Sequence, residues 1–332
     1  VSVIQVGRLT KTFRVKVKDP GFSGSLRSIV HPKYQEIAAV QEASFSVEEG
    51  EMIAFIGPNG AGKSTTIKML TGILHPTSGE ARVLGRIPWR ERHKLSFEIG
   101  SVFGQKSQLW FHLPPIDTFH LLGKVYEIPS AALRRRIEEL VETFALADIL
   151  KIPVRRLSLG QRMRCEIAAS FLHRPKIVFL DEPTIGLDVV AKQRIRDLIR
   201  TMNREEGTTI LLTSHDTGDI EQLCKRVMVI NSGTIILDTS VRRLKQDFIS
   251  EKIVDLKVGT PIDRFASDGV DIVKQSDYGL KLKVDTSKRP IGDVMAEVVR
   301  RFPVVDVTVS DPPLEEIISQ IYEREAPYSA VH

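Results

Sequence analysis

The chain has 332 residues, 42% of them hydrophobic and 27% charged, with a formal net charge of +5. At roughly 100–200 residues per domain this length suggests two domains with a sizeable core. No stretch approaches the roughly 20 apolar residues that cross a bilayer, and Val1–Thr10 lacks the apolar core of a signal peptide, so the chain is expected in the cytosol. Cys165 and Cys224 match no metal-ligand spacing and read as reduced structural residues. The mild basic excess suits anionic partners, whether nucleotide, lipid headgroup or nucleic acid, without choosing among them.

Short apolar strands alternate with helical patterns up to about Asp238, which predicts an α/β domain with a largely parallel sheet. The first segment, Leu9-Thr10-Lys11-Thr12-Phe13, leads into a stretch carrying Arg14, Lys16, Lys18, Arg27 and Lys33 but few acids. Within it Gly24–Ile37 is read as a helix, set against a membrane-bound partner or anionic headgroups, or else as a surface loop. A strand follows near Ala43–Val47. Met52–Ile56 is then a continuous apolar run, as expected of a strand covered on both faces. Directly after it, Gly57-Pro58-Asn59-Gly60-Ala61-Gly62-Lys63-Ser64 fits the phosphate-binding pattern G-x-x-x-x-G-K-[ST]. The helical pattern Ser64–Leu70, with Thr65 in its first turn, completes the strand–loop–helix context. Glycines let the backbone approach phosphate, and successive N–H groups at a helix start point at the anion. Lys63 is expected to reach the β- and γ-phosphates, and the Ser64 hydroxyl to bind Mg²⁺.

Farther on, Ile99–Phe103 is another buried strand. Leu133, Ile137, Leu140, Val141, Phe144 and Leu150 recur at helical spacing, predicting one amphipathic helix over Ala131–Leu150. Its Arg134-Arg135-Arg136 and Glu138-Glu139 runs are read as a solvated face. Ile177–Leu180 is a strand that ends in Asp181-Glu182. Ligands of open α/β sheets bind beyond the carboxyl ends of the strands. Asp181 is therefore placed to hold Mg²⁺, and Glu182 to orient or deprotonate an attacking water. Thr209–Leu212 and Val227–Ile230 complete the strands of this domain. Beyond a basic linker helix, Val241–Asp247, the pattern changes to strands Lys252–Val258 and Leu280–Val284, helix Ile291–Arg301, strand Val304–Val309 and helix Pro313–Tyr322. This is a small α+β domain without a chemical motif, so the domains are read as 1–240 and 241–332.

Leu157-Ser158-Leu159-Gly160-Gln161 resembles the L-S-G-G-Q signature of the ABC ATPases, with Leu159 in the third position. In that family the signature of one subunit closes over ATP bound to another, which assigns Ser158, Gly160 and Gln161 to nucleotide binding in trans. Other segments are similar to the family in order. Gln105 resembles the glutamine that senses Mg²⁺ and contacts the transmembrane partner. Gly186-Leu187-Asp188 resembles the loop that crosses the dimer interface, and His215 the switch histidine at the γ-phosphate. Phe13 is the candidate for the aromatic that stacks on adenine, against ordinary core packing, with Tyr34 as the alternative.

The resemblance implies a P-loop (RecA-like) ATPase domain with antiparallel β and helical subdomains, ATP and Mg²⁺ as cofactors, and a homodimer or paired cassette. It also implies permease subunits that hold the chain at the cytoplasmic membrane, with no nucleic acid expected. Trp110 and Phe111 are candidate docking aromatics for the permease, or else pack inside the helical subdomain. The run Asp311-Pro312-Pro313-Leu314-Glu315-Glu316 is similar to that of bacterial exporter ATPases of the daunorubicin-resistance and sodium-efflux types, which favours export. Two other readings are a soluble ABC ATPase acting on nucleic acid or ribosomes, and a binding-only subunit with a degenerate site. One cassette without long heptad runs speaks against the first. Lys63, Asp181, Glu182 and His215 speak against the second.

Overall fold

The computed structural model describes residues 1–17, 33–103, 107–247, 251–262, 265–312 and 314–324. They fall into two compact units, Val1–Asp238 and Thr239–His332.

The first unit has three β-strands at its start, β1 (Ser2–Val17), β2 (Lys33–Glu48) and β3 (Met52–Ile56), then β4 (Ser78–Val83). β1, β2 and β4 form an antiparallel sheet ordered β2-β1-β4. β3 instead enters a six-stranded sheet with β5 (Ile99–Phe103), β6 (Ile177–Asp181), β7 (Thr209–Thr213), β8 (Arg226–Asn231) and β9 (Thr234–Ser240), in the order β5-β6-β7-β3-β8-β9. Its first five strands are parallel. Residues 177–180 and all of β7 are buried, because helices and the second sheet cover both faces. β8 turns into β9 through Ser232 and Gly233, both at positive φ, the backbone a tight hairpin requires. Ile4, Leu9, Val40 and Val83 of the antiparallel sheet share one core with Phe55 and Ile67. The wall behind the loop after β3 is therefore part of this packed core.

The helical segment Gly24–Ile37 is corrected in part. Lys33–Ile37 belongs to β2, rung by rung opposite Phe13–Val17, and residues 18–32 lie outside the described residues. Antiparallel pairing with β1 satisfies alternate backbone groups there, and Tyr34 and Ile37 are strand-prone.

The helices of this unit are α1 (Lys63–Leu70), α2 (Arg92–Ser96), α3 (Pro115–Val125), α4 (Ser130–Thr143), α5 (Leu159–Ser170), α6 (Val189–Glu206) and α7 (Thr217–Leu223). α4 stops well before the expected Leu150. Ala145 takes φ 49°, Ala145 N–H bonds to Glu142 O and Leu146 N–H bonds to Val141 O at 2.9 Å. This left-handed closure ends the helix without a glycine. Phe144, Leu146 and Leu150 stay buried, so apolar spacing runs on through a turn. The solvated face is also corrected at Arg136. It is buried and donates to Glu206 Oε1 at 2.5 Å and to Phe171 O at 2.6 Å.

The second unit holds α8 (Val241–Asp247), β10 (Glu251–Val258), β11 (Val270–Ser276), β12 (Gly279–Asp285), α9 (Ile291–Arg301), β13 (Val304–Ser310) and α10 (Leu314–Arg324). Its antiparallel sheet has the order β11-β12-β10-β13. Val294 and Val298 of α9 pack with Val254, Leu256 and Leu282 on one sheet face. β11 escapes sequence reading because it is an exposed edge strand without apolar alternation. Among the described residues no helix is long and apolar enough to cross a membrane.

Candidate functional site

The loop between β3 and α1 requires glycine at particular points. A Cβ on Gly57 would fall 2.2 Å from Ile230 O. One on Gly62, at φ 110°, would fall 2.4 Å from Ala39 O. Gly60 adopts φ 81°. The loop is pinned by Ala61 N–H to Pro58 O and by Gly233 N–H to Ala61 O. Lys63 opens α1, and Ser64 and Thr65 follow in its first turn. The Lys63 ammonium is buried and donates to Gly57 O at 2.5 Å and Pro58 O at 3.1 Å. Burial pulls its pKa down, opposed by the carboxylates of Glu182 and Asp181. Its cationic form is therefore held by two acids across the cleft.

Those acids end β6. Asp181 accepts from Ser64 Oγ at 2.9 Å and from Thr213 Oγ1 at 2.6 Å. Glu182 follows at φ 54°, a left-handed conformation that costs a non-glycine residue about 1–2 kcal/mol. Its N–H is held by Thr213, bonding to the backbone O and to Oγ1, each at 3.1 Å. The turn delivers Glu182 Oε1 to 2.8 Å from His215 Nε2. A carboxylate only accepts when ionised, so Nε2 carries the proton. Lys63 Nζ, 3.4 Å from the same nitrogen, is then an electrostatic neighbour, since two donors cannot bond each other. Lys63, Ser64, Asp181, Glu182 and His215 thus form one cluster at the carboxyl ends of β3, β6 and β7.

A second cluster gathers around α5. Ser158 caps this helix reciprocally with Gln161: Gln161 N–H bonds to Ser158 Oγ at 3.2 Å, and Ser158 N–H bonds to Gln161 Oε1 at 2.9 Å. Asp188 caps α6 by accepting from Ala191 N–H at 2.8 Å. Ser158, Gly160, Gln161 and Asp188 line a groove of about 390 Å³ together with Arg164 and Arg194. Gly160 packs closely on Ala191, and Gly186, at φ 73°, on Leu159. Gly186 also borders the smaller cavity that holds Glu182 and His215. The described hydrogen bonds do not join the two clusters within one chain.

Phe13 lies on β1 opposite Ile37, with Lys11 Nζ 5.3 Å from its ring centroid. β2 reaches Gly62 at Ala39, so Phe13 stands nearer the phosphate loop than Tyr34, which pairs with Lys16 farther along the ribbon. Phe13 is 37% exposed. Gln105 lies outside the described residues. Just beyond it, Ser107 Oγ and Gln108 N–H bond to Glu166, a buried residue of α5. Burial raises the Glu166 pKa.

Sequence reasoning missed a buried network behind His215. Asp219, fully buried, accepts from Arg196 Nε at 2.7 Å, Ser214 Oγ at 2.6 Å and Thr184 Oγ1 at 2.5 Å. Asp216 pairs with Lys192 at 2.5 Å and Arg196 at 2.8 Å. Two acids following His215, Asp216 at the N-cap of α7 and Asp219 in its first turn, were the available signal.

The sequence model of the ABC transporter family matches residues 40–185. The ABC transporter ATP-binding protein NatA of Bacillus subtilis (strain 168) is 31% identical over 221 residues, covering 67% of this chain and 89% of its own length. The chain belongs to the ABC transporter ATP-binding proteins. This ABC protein is accordingly a nucleotide-binding ATPase. It is 33% identical over 263 residues to the daunorubicin/doxorubicin resistance ATP-binding protein DrrA of Streptomyces peucetius, with 77% of this chain and 79% of that one covered. Over 299 residues it is 29% identical to the linearmycin resistance ATP-binding protein LnrL of Bacillus subtilis (strain 168), covering 88% of this chain and 96% of the relative. Among solved structures, cbiO1 from Clostridium perfringens, part of the ABC transporter complex cbiONQ, superposes with a TM-score of 0.61 at 26% identity. That match spans 74% of this ABC ATPase and 91% of cbiO1. A dimeric ATP-binding cassette in a post-hydrolysis state, bound to ADP and Pi, shares the fold at a TM-score of 0.59 and 24% identity, over 72% of this chain and 99% of that one.

Proposed function

We propose that this ATPase powers an exporter whose channel is made by separate transmembrane permease subunits, acting as a dimer that sandwiches two ATP molecules. The observation that carries this reading is the pairing of Glu182 Oε1 with His215 Nε2 at 2.8 Å beside Lys63, a base, a switch and a cation in one cluster. The resistance proteins among its relatives support export, and the exposed Trp110 and Phe111 offer a docking surface for the permease.

The triphosphate lies along Gly57–Gly62 with Lys63 on the β- and γ-phosphates and Phe13 on adenine. Ser64 Oγ and an Asp181 carboxylate oxygen, 2.9 Å apart, are hard oxygen donors that suit Mg²⁺, with Gln105 as a further ligand. The metal neutralises charge on the phosphate oxygens when bound. Glu182 takes a proton from water as that water's oxygen bonds the γ-phosphorus and the bond to the ADP oxygen breaks. Ser158, Gly160, Gln161 and Asp188 of a second copy close the far side of the same γ-phosphate. Its departure removes the group that both copies grip, and the dimer reopens.

The test is the Glu182→Gln variant. It is expected to bind ATP and form a stable dimer in sizing experiments while its steady-state turnover falls roughly 10²–10⁴-fold. Unchanged turnover would remove Glu182 from its assigned role.

A further inference from the structure

β13 is a terminal strand of the four-stranded sheet. From Asp306 to Ser310 it pairs regularly with β10, and the one irregularity in that ladder lies between Val304 and Asp306. Edge strands are normally blunted by lysine, proline or a bulge. Asp306–Ser310 has no lysine and no proline, and Val307 and Val309 remain 42% and 48% exposed. The opposite edge strand, β11, is broken in mid-course between Ile272 and Lys274 and carries the charges of Asp271 and Lys274. β13, with its irregularity confined to its start and a single charge at Asp306, is therefore the less guarded side.

Backbone direction can be read from two bonds. Val258 N–H points to Tyr278 O on the β12 side, and Gly259 N–H to Pro303 O on the β13 side. Alternation along β10 then turns Lys257 and Asp255 toward β13, where they oppose Asp306 and Thr308. The N–H and C=O groups of Val307 and Val309 are left facing the open edge. Their side chains share the sheet face of Leu256 and Val254, both fully buried with α9. The apolar layer thus runs out to the last strand and stops half-covered.

We infer that a second copy of this chain covers the edge: two β13 strands pair antiparallel about a two-fold axis at Thr308, joining two C-terminal units into one eight-stranded sheet. The register itself argues for a like partner. It sets Val307 against the partner's Val309, Asp306 against the partner's Ser310, and Thr308 against the partner's Thr308. No like charges meet, the lone carboxylate faces a hydroxyl, and threonine pairs across strands are favourable. Val307 and Val309 supply the close backbone pairs, and the axis passes through a non-hydrogen-bonded pair. Such a patch is self-complementary, as a two-fold contact demands. The contact needs no nucleotide, so it stands or falls apart from the ATP sandwich.

The experiment uses the full chain without nucleotide. Thr308→Cys is expected to form a covalent dimer under mild oxidation, since axis-related Cα atoms about 4.5 Å apart are within disulfide reach. Asp306→Cys alone is expected not to, because the two copies of that residue lie roughly 13 Å apart. A mixture of Asp306→Cys and Ser310→Cys chains cross-links again. Cys165 and Cys224 are both buried and do not compete. Val309→Pro removes only an outward N–H, leaves the bonds to β10 in place, and is expected to weaken nucleotide-free dimerisation in sedimentation roughly tenfold. Failure of Thr308→Cys to cross-link, or equal cross-linking by Asp306→Cys alone, overturns the proposal. A wild-type chain that sediments as a monomer at all concentrations does the same.

Discussion

His173 is held by one nitrogen and stranded by the other. Its Nε2 lies 2.9 Å from Ile99 O, which can only accept, so Nε2 carries the proton of the neutral ring. The ring stacks on Tyr126 with centroids 3.8 Å apart, and Nδ1 is buried with no partner. Protonating Nδ1 would bury a charge and a donor without an acceptor, and burial accordingly pulls the pKa down to about 4 from 6.5. Between these values the unfolded chain binds the proton and the folded chain does not, so stability rises with pH there. The contribution is fully present above the unfolded pKa and is lost as pH falls from about 6.5 to about 4, by roughly 2–3 kcal/mol. His173→Phe keeps a stacking ring and cannot titrate. Urea midpoints measured at pH 7 and at pH 4.5 should therefore fall farther for wild type than for this variant. Parallel curves would mean that the imidazole is not the titrating group.

At the scale of elements, the loops after β6 and β7 do not stand alone. Asp219 of α7 holds Thr184 on one loop, Ser214 on the other and Arg196 on α6. Removing one partner of a buried ion pair typically costs about 3–5 kcal/mol, because the other charge is left behind. Asp219→Ala should lose stability on that order in denaturant melts, and Arg196→Met in the same chain should restore part of it. Strict additivity of the two losses would show that the pair is not coupled. This network also marks what the sequence could disclose. Gly57–Ser64 and Ile177–Glu182 are legible because a strand, a turn and their chemistry are contiguous along the chain. Asp219 meets Thr184 across 35 positions and Arg136 meets Glu206 across 70, and no local period encodes such contacts. The early end of α4 was hidden for the opposite reason. The apolar spacing continues through Phe144 and Leu150, while the left-handed turn at Ala145 falls on a residue that rarely adopts it.

For the molecule as a whole, assigning the two halves of each site to different copies has a consequence in mixtures. Under the reading proposed above, each ATP needs Lys63 of one copy and Ser158 of another. Lys63→Met removes the first contribution. Ser158→Asp removes the second, because a carboxylate repels the γ-phosphate. Aspartate is as good a helix cap as serine, so α5 keeps its start and the loss is not one of folding. Each variant alone should be inactive, since every site in its dimers lacks one half. In an equal mixture with free exchange, half the dimers contain one copy of each kind. Each mixed dimer has one intact site, formed by the Lys63 of the Ser158→Asp copy and the Ser158 of the Lys63→Met copy. ATPase activity should therefore return to at most about a quarter of the wild-type rate, rising as the exchange proceeds. A site completed within a single chain would leave the mixture as inactive as its parts.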